Sequence, residues 1–164
     1  MKNLLRRIQQ NQAVKDAFLQ LAQGRSFAVF GLDVSAKEFF LGAIADRVKK
    51  PVLYVVKGPK EQDSAAGNLR VFTDYPVHEF PSIDIIPGQG IHPQVEITAE
   101  RIGILYNLVA EKDVRPVIVA TAHSITQGVI PPQKLRELLL SLKTNMTIGI
   151  QELAGRLVQL GYEP

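Results

Sequence analysis

Apolar residues Leu4, Leu5, Ile8, Val14, Ala17, Phe18 and Leu21 recur at three- and four-residue intervals among Arg, Gln, Lys and Asp. That period places them on one face of an amphipathic helix over 3–21, with Gly24 as its C-terminal stop. The pattern then changes. "SFAVFGL", Ser26 to Leu32, is a short apolar run rich in β-forming residues and predicts a strand. Phe39, Phe40, Ala43, Ile44 and Val48 share one face of a helix from Ser35 to about Lys49, and "PVLYVV", Pro51 to Val56, reads as a second buried strand. Strand, helix, strand with nearly continuous apolar strands predicts a βαβ unit in a parallel sheet covered on both faces, so the fold class is α/β.

Beyond Val56 the pattern weakens. "GPKEQDSAAGNLRVF" has two glycines, a proline and little amphipathic face, and predicts only a short helix; "VHEF", Val77 to Phe80, reads as a third strand. "FPSIDIIPGQGIHPQ" is dense in Pro and Gly and predicts an ordered surface loop. A helical period resumes from Val95 to Lys112 through Ile97, Ile102, Leu105, Leu108 and Val109, and "RPVIVATA" makes another buried strand. A helical turn at Ser124 to Gln127 leads to the pair Pro131 and Pro132. After them, "LRELLLSLKTNMTIGI" is compatible with two strands joined by a turn at Thr144 and Asn145. A last amphipathic helix uses Ile150, Leu153, Leu157 and Leu160 and stops at Gly161. The expected organisation is an α/β domain over 1–133 with an N-terminal helix, followed by a strand-turn-helix appendage over 134–164.

The junction between the first strand and its helix has the outline of a phosphate-binding loop. A Walker loop needs G-x-x-x-x-G-K-[ST], whose glycines let backbone N–H groups curl round phosphates while Lys reaches the outer phosphates and the hydroxyl holds Mg²⁺. Here the register gives Gly31 and Lys37 in place, but Ala36 stands at the second glycine and Glu38 at the hydroxyl position. A Cβ at the second glycine resists a positive φ by about 1 to 2 kcal/mol. An acid beside the triphosphate repels it by about 4 kcal/mol at 4 Å and an effective dielectric of 20. The helix N-terminus returns only about 0.3 to 1 kcal/mol. No apolar run ending in paired acids supplies a Walker B strand. Gly31, Ala36, Lys37 and Glu38 therefore read as a vestigial phosphate loop with no cofactor, and "SAKE", Ser35 to Glu38, as a capping box that starts the helix without a ligand.

Composition removes other classes. The 164 residues are 46% hydrophobic and 21% charged, the range of an ordinary globular domain. A net charge of +3, with Lys and Arg scattered, does not make a nucleic-acid groove. There is no cysteine, hence no disulfide, thiolate metal site or Cys nucleophile, and His78, His92 and His123 lie far apart without metal-ligand spacing. No run is long enough for a membrane span or shaped like a signal peptide, so a cytoplasmic location is expected. His123 and Ser124 are adjacent, but neighbours in sequence rarely face one another and no acid partner is evident; "TAHSI" reads instead as the start of a short helix.

Taken in order, the modified loop, "PVLYVV", "VHEFPS", "HPQVEITAERIGILYNL", "PVIVATAHSI", "IPP", "LSLKTN" and "LAGRLVQLGYEP" resemble the N-terminal part of the bacterial transcription-repair coupling factors, a region itself similar to the excision-repair subunit UvrB. Phe80 and Pro81 match the family's FP, His92 and Pro93 fall in its SPH loop, Glu100, Arg101 and Ile102 match ERL, Pro131 and Pro132 the proline pair, and Gly161 and Tyr162 the GY. The family's Trp and Asp-Tyr after FP are absent, Ile83 and "IPGQG" standing in their place. The resemblance implies a parallel-sheet core like that of P-loop NTPases and of UvrB domain 1a. It also implies a decayed Walker loop, with no catalytic residue or metal in this chain. The implied role is a non-catalytic scaffold within a protein that couples stalled RNA polymerase to nucleotide excision repair through ATP-driven DNA translocation and UvrA recruitment. On this resemblance 1–133 would be a degenerate P-loop-like α/β domain and 134–164 the truncated start of the UvrA-contacting domain, and the partners would be other domains of the same protein. UvrA would bind this chain weakly or not at all, and RNA polymerase and DNA only through regions it does not contain. The competing expectation is a nucleotide-binding P-loop domain related to UvrB.

Overall fold

The computed structural model describes residue 7 and residues 10–83, 95–110, 114–140, 142–159 and 162. The chain divides into two compact units, Met1–Gly128 and Val129–Pro164. The first contains helices α1 (Gln12–Ala22), α2 (Val34–Val48), α3 (Pro59–Phe72), α4 (Val95–Ala110) and α5 (Ala122–Thr126), and strands β1 (Val52–Val56), β2 (Val77–Phe80) and β3 (Val117–Thr121). The second contains α6 (Pro132–Glu137) and α7 (Ile150–Gln159). No helix among the described residues is long and apolar enough to cross a membrane.

Among the described residues the strands form one parallel sheet in the order β1-β3-β2. β3 is central and buried along its whole length, which explains its unbroken apolar sequence. Alternation within the strands sorts side chains to two faces. On one face Val56, Val117 and Val119 pack with Ala45 of α2 and Ala65, Ala66 and Leu69 of α3. On the other, Phe80, Ile118 and Ala120 meet Ile104, Leu105 and Leu108 of α4. The α/β class and the parallel sheet follow the hydrophobic pattern.

Five local expectations do not hold. Ser26–Phe30 forms no strand: Val29 and Phe30 stand exposed, Phe30 at 90%, and the run has no sheet neighbour to hydrogen-bond. A β-rich run without a partner strand gains neither ladder bonds nor burial. Second, α3 is a full helix of 14 residues and not a short one. Pro59 opens it, where a missing N–H costs nothing, and its buried stripe of Gln62, Ala65, Ala66 and Leu69 seats it on the sheet. Third, the described residues of 138–149 hold no strand, and Pro132–Glu137 is helical; the turn at Thr144 and Asn145 is present, Asn145 having φ +65. Fourth, "SAKE" is not a capping box. The helix begins one residue earlier, at Val34, with Asp33 at the N-cap.

Fifth, the first helix is not continuous from 3 to 21: Arg7 is helical, but Gln10 lies in a turn and Asn11 is extended and caps a helix that starts at Gln12, its side chain accepting from the Ala13 N–H at 2.9 Å. Its expected start at Asn3, the Pro/Gly-rich stretch from Asp84 to Gln94, Lys112, and Leu160 with Gly161 lie outside the described residues.

Candidate functional site

Two groups of residues concentrate the chemistry, both in the first unit. The first is the start of α2. Gly31 turns the chain with φ +78, the left-handed region that favours glycine. Asp33 then adopts an extended conformation at the N-cap, and its carbonyl accepts from the N–H groups of Ala36 and Lys37 at 3.0 and 3.1 Å. Ala36 and Lys37 are thus already helical. Ala36 does not make the left-handed bend that a Walker glycine makes, so the penalty anticipated for its Cβ does not arise. The helix starts early, so the backbone of the register's fourth to sixth positions is wound into the first turn of α2. Asp33 stands at the N-cap of that helix without a side-chain capping bond, and its negative charge beside the helix start disfavours a bound anion.

Glu38 is also placed differently. Its side chain does not face the loop mouth but is 1% exposed, turned inward among α2, α3 and β1. The Tyr54 hydroxyl donates to its Oε1 at 3.3 Å and Asn68 Nδ2 to its Oε2 at 3.5 Å. Both partners are neutral. The burial of Tyr54 and the adjacent Glu38 carboxyl push the Tyr54 pKa up to about 12, so its hydroxyl keeps its proton and stays a donor far above neutral pH. Lys37, in contrast, is exposed, beside a cleft of ≈ 400 Å³ lined with Phe30, Gly31, Phe40, Leu41 and Tyr54. The four positions singled out in the sequence are therefore split: Gly31 and Lys37 border the cleft, Ala36 is in the helix turn, and Glu38 is interior.

The second group lies at the C-terminal ends of β2 and β3, the end of a parallel sheet where α/β proteins place their sites. Arg101, on α4, is 4% exposed. Its guanidinium carbon sits 4.2 Å from the centroid of the Phe80 ring, and its Nη1 donates to Pro81 O at 2.6 Å and Gln127 Oε1 at 3.2 Å. Nη2 is buried without a hydrogen-bond partner, and the face of the Phe80 ring offsets part of that loss. Burial pulls the Arg101 pKa below the ordinary guanidinium value. Gln127 pairs with the backbone of Ile83 through both ends of its amide, accepting from Ile83 N and donating to Ile83 O, each at 2.8 Å. On the other face of the sheet, Gln62 Nε2 donates to Phe80 O at 3.0 Å and Val119 O at 2.8 Å, tying β2 to β3. Every one of these contacts holds the chain as it leaves β2.

The fold thus brings the adjacent Phe80 and Pro81 together with Arg101, which lies 20 residues beyond Pro81 in sequence. Gln62 and Gln127, which complete the arrangement, carry no motif, and only a buried polar residue inside an otherwise small or apolar stripe hints at Gln62. Pro131 and Pro132 lead into α6, and Tyr162 is exposed; His92, Pro93 and Gly161 lie outside the described residues. Ser124 is fully buried, its Oγ donating to Thr121 O at 3.0 Å and its N–H capped by Thr121 Oγ1, while His123 meets Gln127. The pair opens α5 and does not form a nucleophile and base.

No family model matches the chain. It is 23% identical to the transcription-repair-coupling factor of Bacillus subtilis (strain 168) over 165 residues, an alignment that covers 99% of this chain and 14% of that protein. It is 22% identical to the transcription-repair-coupling factor of Myxococcus xanthus over 151 residues, covering 88% of this chain and 12% of that protein. The likeness is weak but runs over most of the chain and supports kinship with that family. The chain spans 14% and 12% of the lengths of these two curated relatives.

Proposed function

We propose that this chain serves as a non-catalytic α/β scaffold of the transcription-repair-coupling-factor kind, related to the UvrB-like module and carrying a phosphate loop that no longer binds nucleotide. The observation that carries this reading is the likeness to two such factors over 88% or more of the chain. The early start of α2 adds support, since it converts a would-be phosphate cradle into helix. In this reading the residues that matter are structural. Arg101, Phe80, Pro81 and Gln127 hold the exit from β2, and Glu38, Tyr54 and Asn68 lock α2 to β1 and α3. The coupling of stalled RNA polymerase to excision repair, DNA translocation and UvrA recruitment then belong to the longer protein as a whole.

Calorimetric titration of the chain with MgATP tests this. The expected result is no saturable heat at micromolar to millimolar nucleotide. Saturable binding that disappears in Lys37→Ala would overturn the reading in favour of a nucleotide-binding domain related to UvrB. A pull-down with purified UvrA is expected to show no stable capture by this chain.

A further inference from the structure

Among the described residues, nothing pairs with the outer edge of β1. Val52 N–H donates to Pro116 O at 3.0 Å, and in a parallel ladder the backbone groups of alternate residues point the same way. Val52, Tyr54 and Val56 therefore face β3, and the N–H and C=O groups of Leu53 and Val55 face away from the sheet. Among the described residues no hydrogen bond reaches these four groups. The next outward N–H, that of Lys57, is already taken by Glu61 Oε2 at 3.1 Å, which limits the open ladder to the centre of the strand.

The side chains agree with the backbone. Leu53 and Val55 share the sheet face of Ile118 and Ala120, but α4 covers only β2 and β3 there, leaving Leu53 at 57% and Val55 at 42% exposed. On the other face, beside Tyr54, lies the ≈ 400 Å³ cleft walled by Phe30, Phe40 and Leu41. β1 has no proline, charge or bulge within "VLYVV", the devices by which edge strands are protected from pairing. A strand laid along this edge would place alternate side chains against Leu53 and Val55 and the intervening ones toward the cleft.

We infer that the free edge of β1 accepts an extended peptide strand of a partner protein, apolar at its centre and flanked by Asp or Glu. Only a polypeptide backbone offers donors and acceptors at the spacing of the four open groups. The sign of the flanks follows from Lys49 and Lys50 just before β1 and Lys57 just after it, all exposed, which outnumber the acid held on the Lys57 N–H, Glu61. The same lysines disfavour a second copy of this chain: antiparallel self-pairing of Leu53 with Val55 sets Lys57 of each copy beside the Lys50 end of the other, and parallel pairing sets like against like. This docking mode is independent of the family likeness.

The test uses the full chain and two fluorescent peptides, Asp-Glu-Val-Phe-Val-Thr-Val-Glu-Asp and the same core with Lys replacing each acid. Anisotropy is expected to show saturable binding of the acidic peptide and roughly tenfold weaker binding of the basic one. The double variant Lys50→Glu with Lys57→Glu, which leaves the apolar strand untouched, is expected to reverse that preference. Bound acidic peptide should slow amide exchange at Leu53 and Val55. Absence of saturable binding, or binding that leaves these two amides unchanged, overturns the inference. So does a chain that dimerises alone by light scattering with the same amides protected, because the occupant is then a second copy.

Discussion

Glu38 is almost fully buried yet meets only neutral donors, Tyr54 Oη and Asn68 Nδ2, at long hydrogen-bond distances. A carboxyl group in that setting loses its hydration without gaining a cation. Glu38→Gln keeps the shape and an acceptor while removing that burden, and is expected to raise unfolding free energy by about 1 kcal/mol in urea titrations. Glu38→Ala leaves a cavity and two unpartnered polar groups and is expected to lower it by about 2 kcal/mol. Tyr54 holds its proton more tightly in the folded chain than when unfolded, so its bond to Glu38 contributes fully below about pH 10 and is lost as pH rises toward about 12. The phenolate absorbance of Tyr54 should therefore emerge only near the upper value, and Tyr54→Phe should remove that late step along with its share of alkaline destabilisation. None of this was legible in the string, where Glu38 reads as a loop acid beside a phosphate. The direction in which a side chain leaves a helix is set by which face the helix buries.

Helices α2 and α3 meet where Gly42 faces the last turn of α3. A Cβ at Gly42 would approach Phe72 O at 3.0 Å and Phe72 Cβ at 3.1 Å, so backbone and not a flexible tip fills the space. Helix propensity alone favours Gly42→Ala by about 1 kcal/mol. Overpacking of this kind costs about 1 to 3 kcal/mol. A net loss of about 1 kcal/mol is expected, and a lowered urea midpoint with unchanged slope would register it. A gain in stability would show that the helices can separate at no cost. The same packing explains why α3 is longer than its sequence pattern predicts: its buried stripe is built largely from alanines within a polar frame and carries little hydrophobic pattern. Small residues let a helix sit close to a sheet, but their value appears only when the opposing surface is known. The run Ser26 to Leu32 fails in the opposite sense. Its composition suits a strand, and what it lacks is a neighbour.

Across the whole molecule, burial is uneven. Every residue of β3 is buried, whereas α7, strongly amphipathic in sequence, has no buried residue among those described and leaves Ile150 83% exposed. Amide exchange should reflect this: the N–H groups of Val117–Thr121 are expected to exchange only through global unfolding, and those of Ile150–Gln159 through local opening several kcal/mol lower. Equal protection of the two elements by exchange mass spectrometry would contradict that difference. The α/β class, the three parallel strands at Val52, Val77 and Val117, most helices and the ordered motifs were readable from the chain, because a strand buried on both faces must be apolar throughout and an amphipathic helix must repeat near 3.6 residues. The meeting of Phe80, Pro81 and Arg101 with Gln127, the inward turn of Glu38, the early start of α2 and the open edge of β1 were decided only in three dimensions. Each depends on which segments become neighbours, and local periodicity records that a surface is to be buried without recording what will cover it.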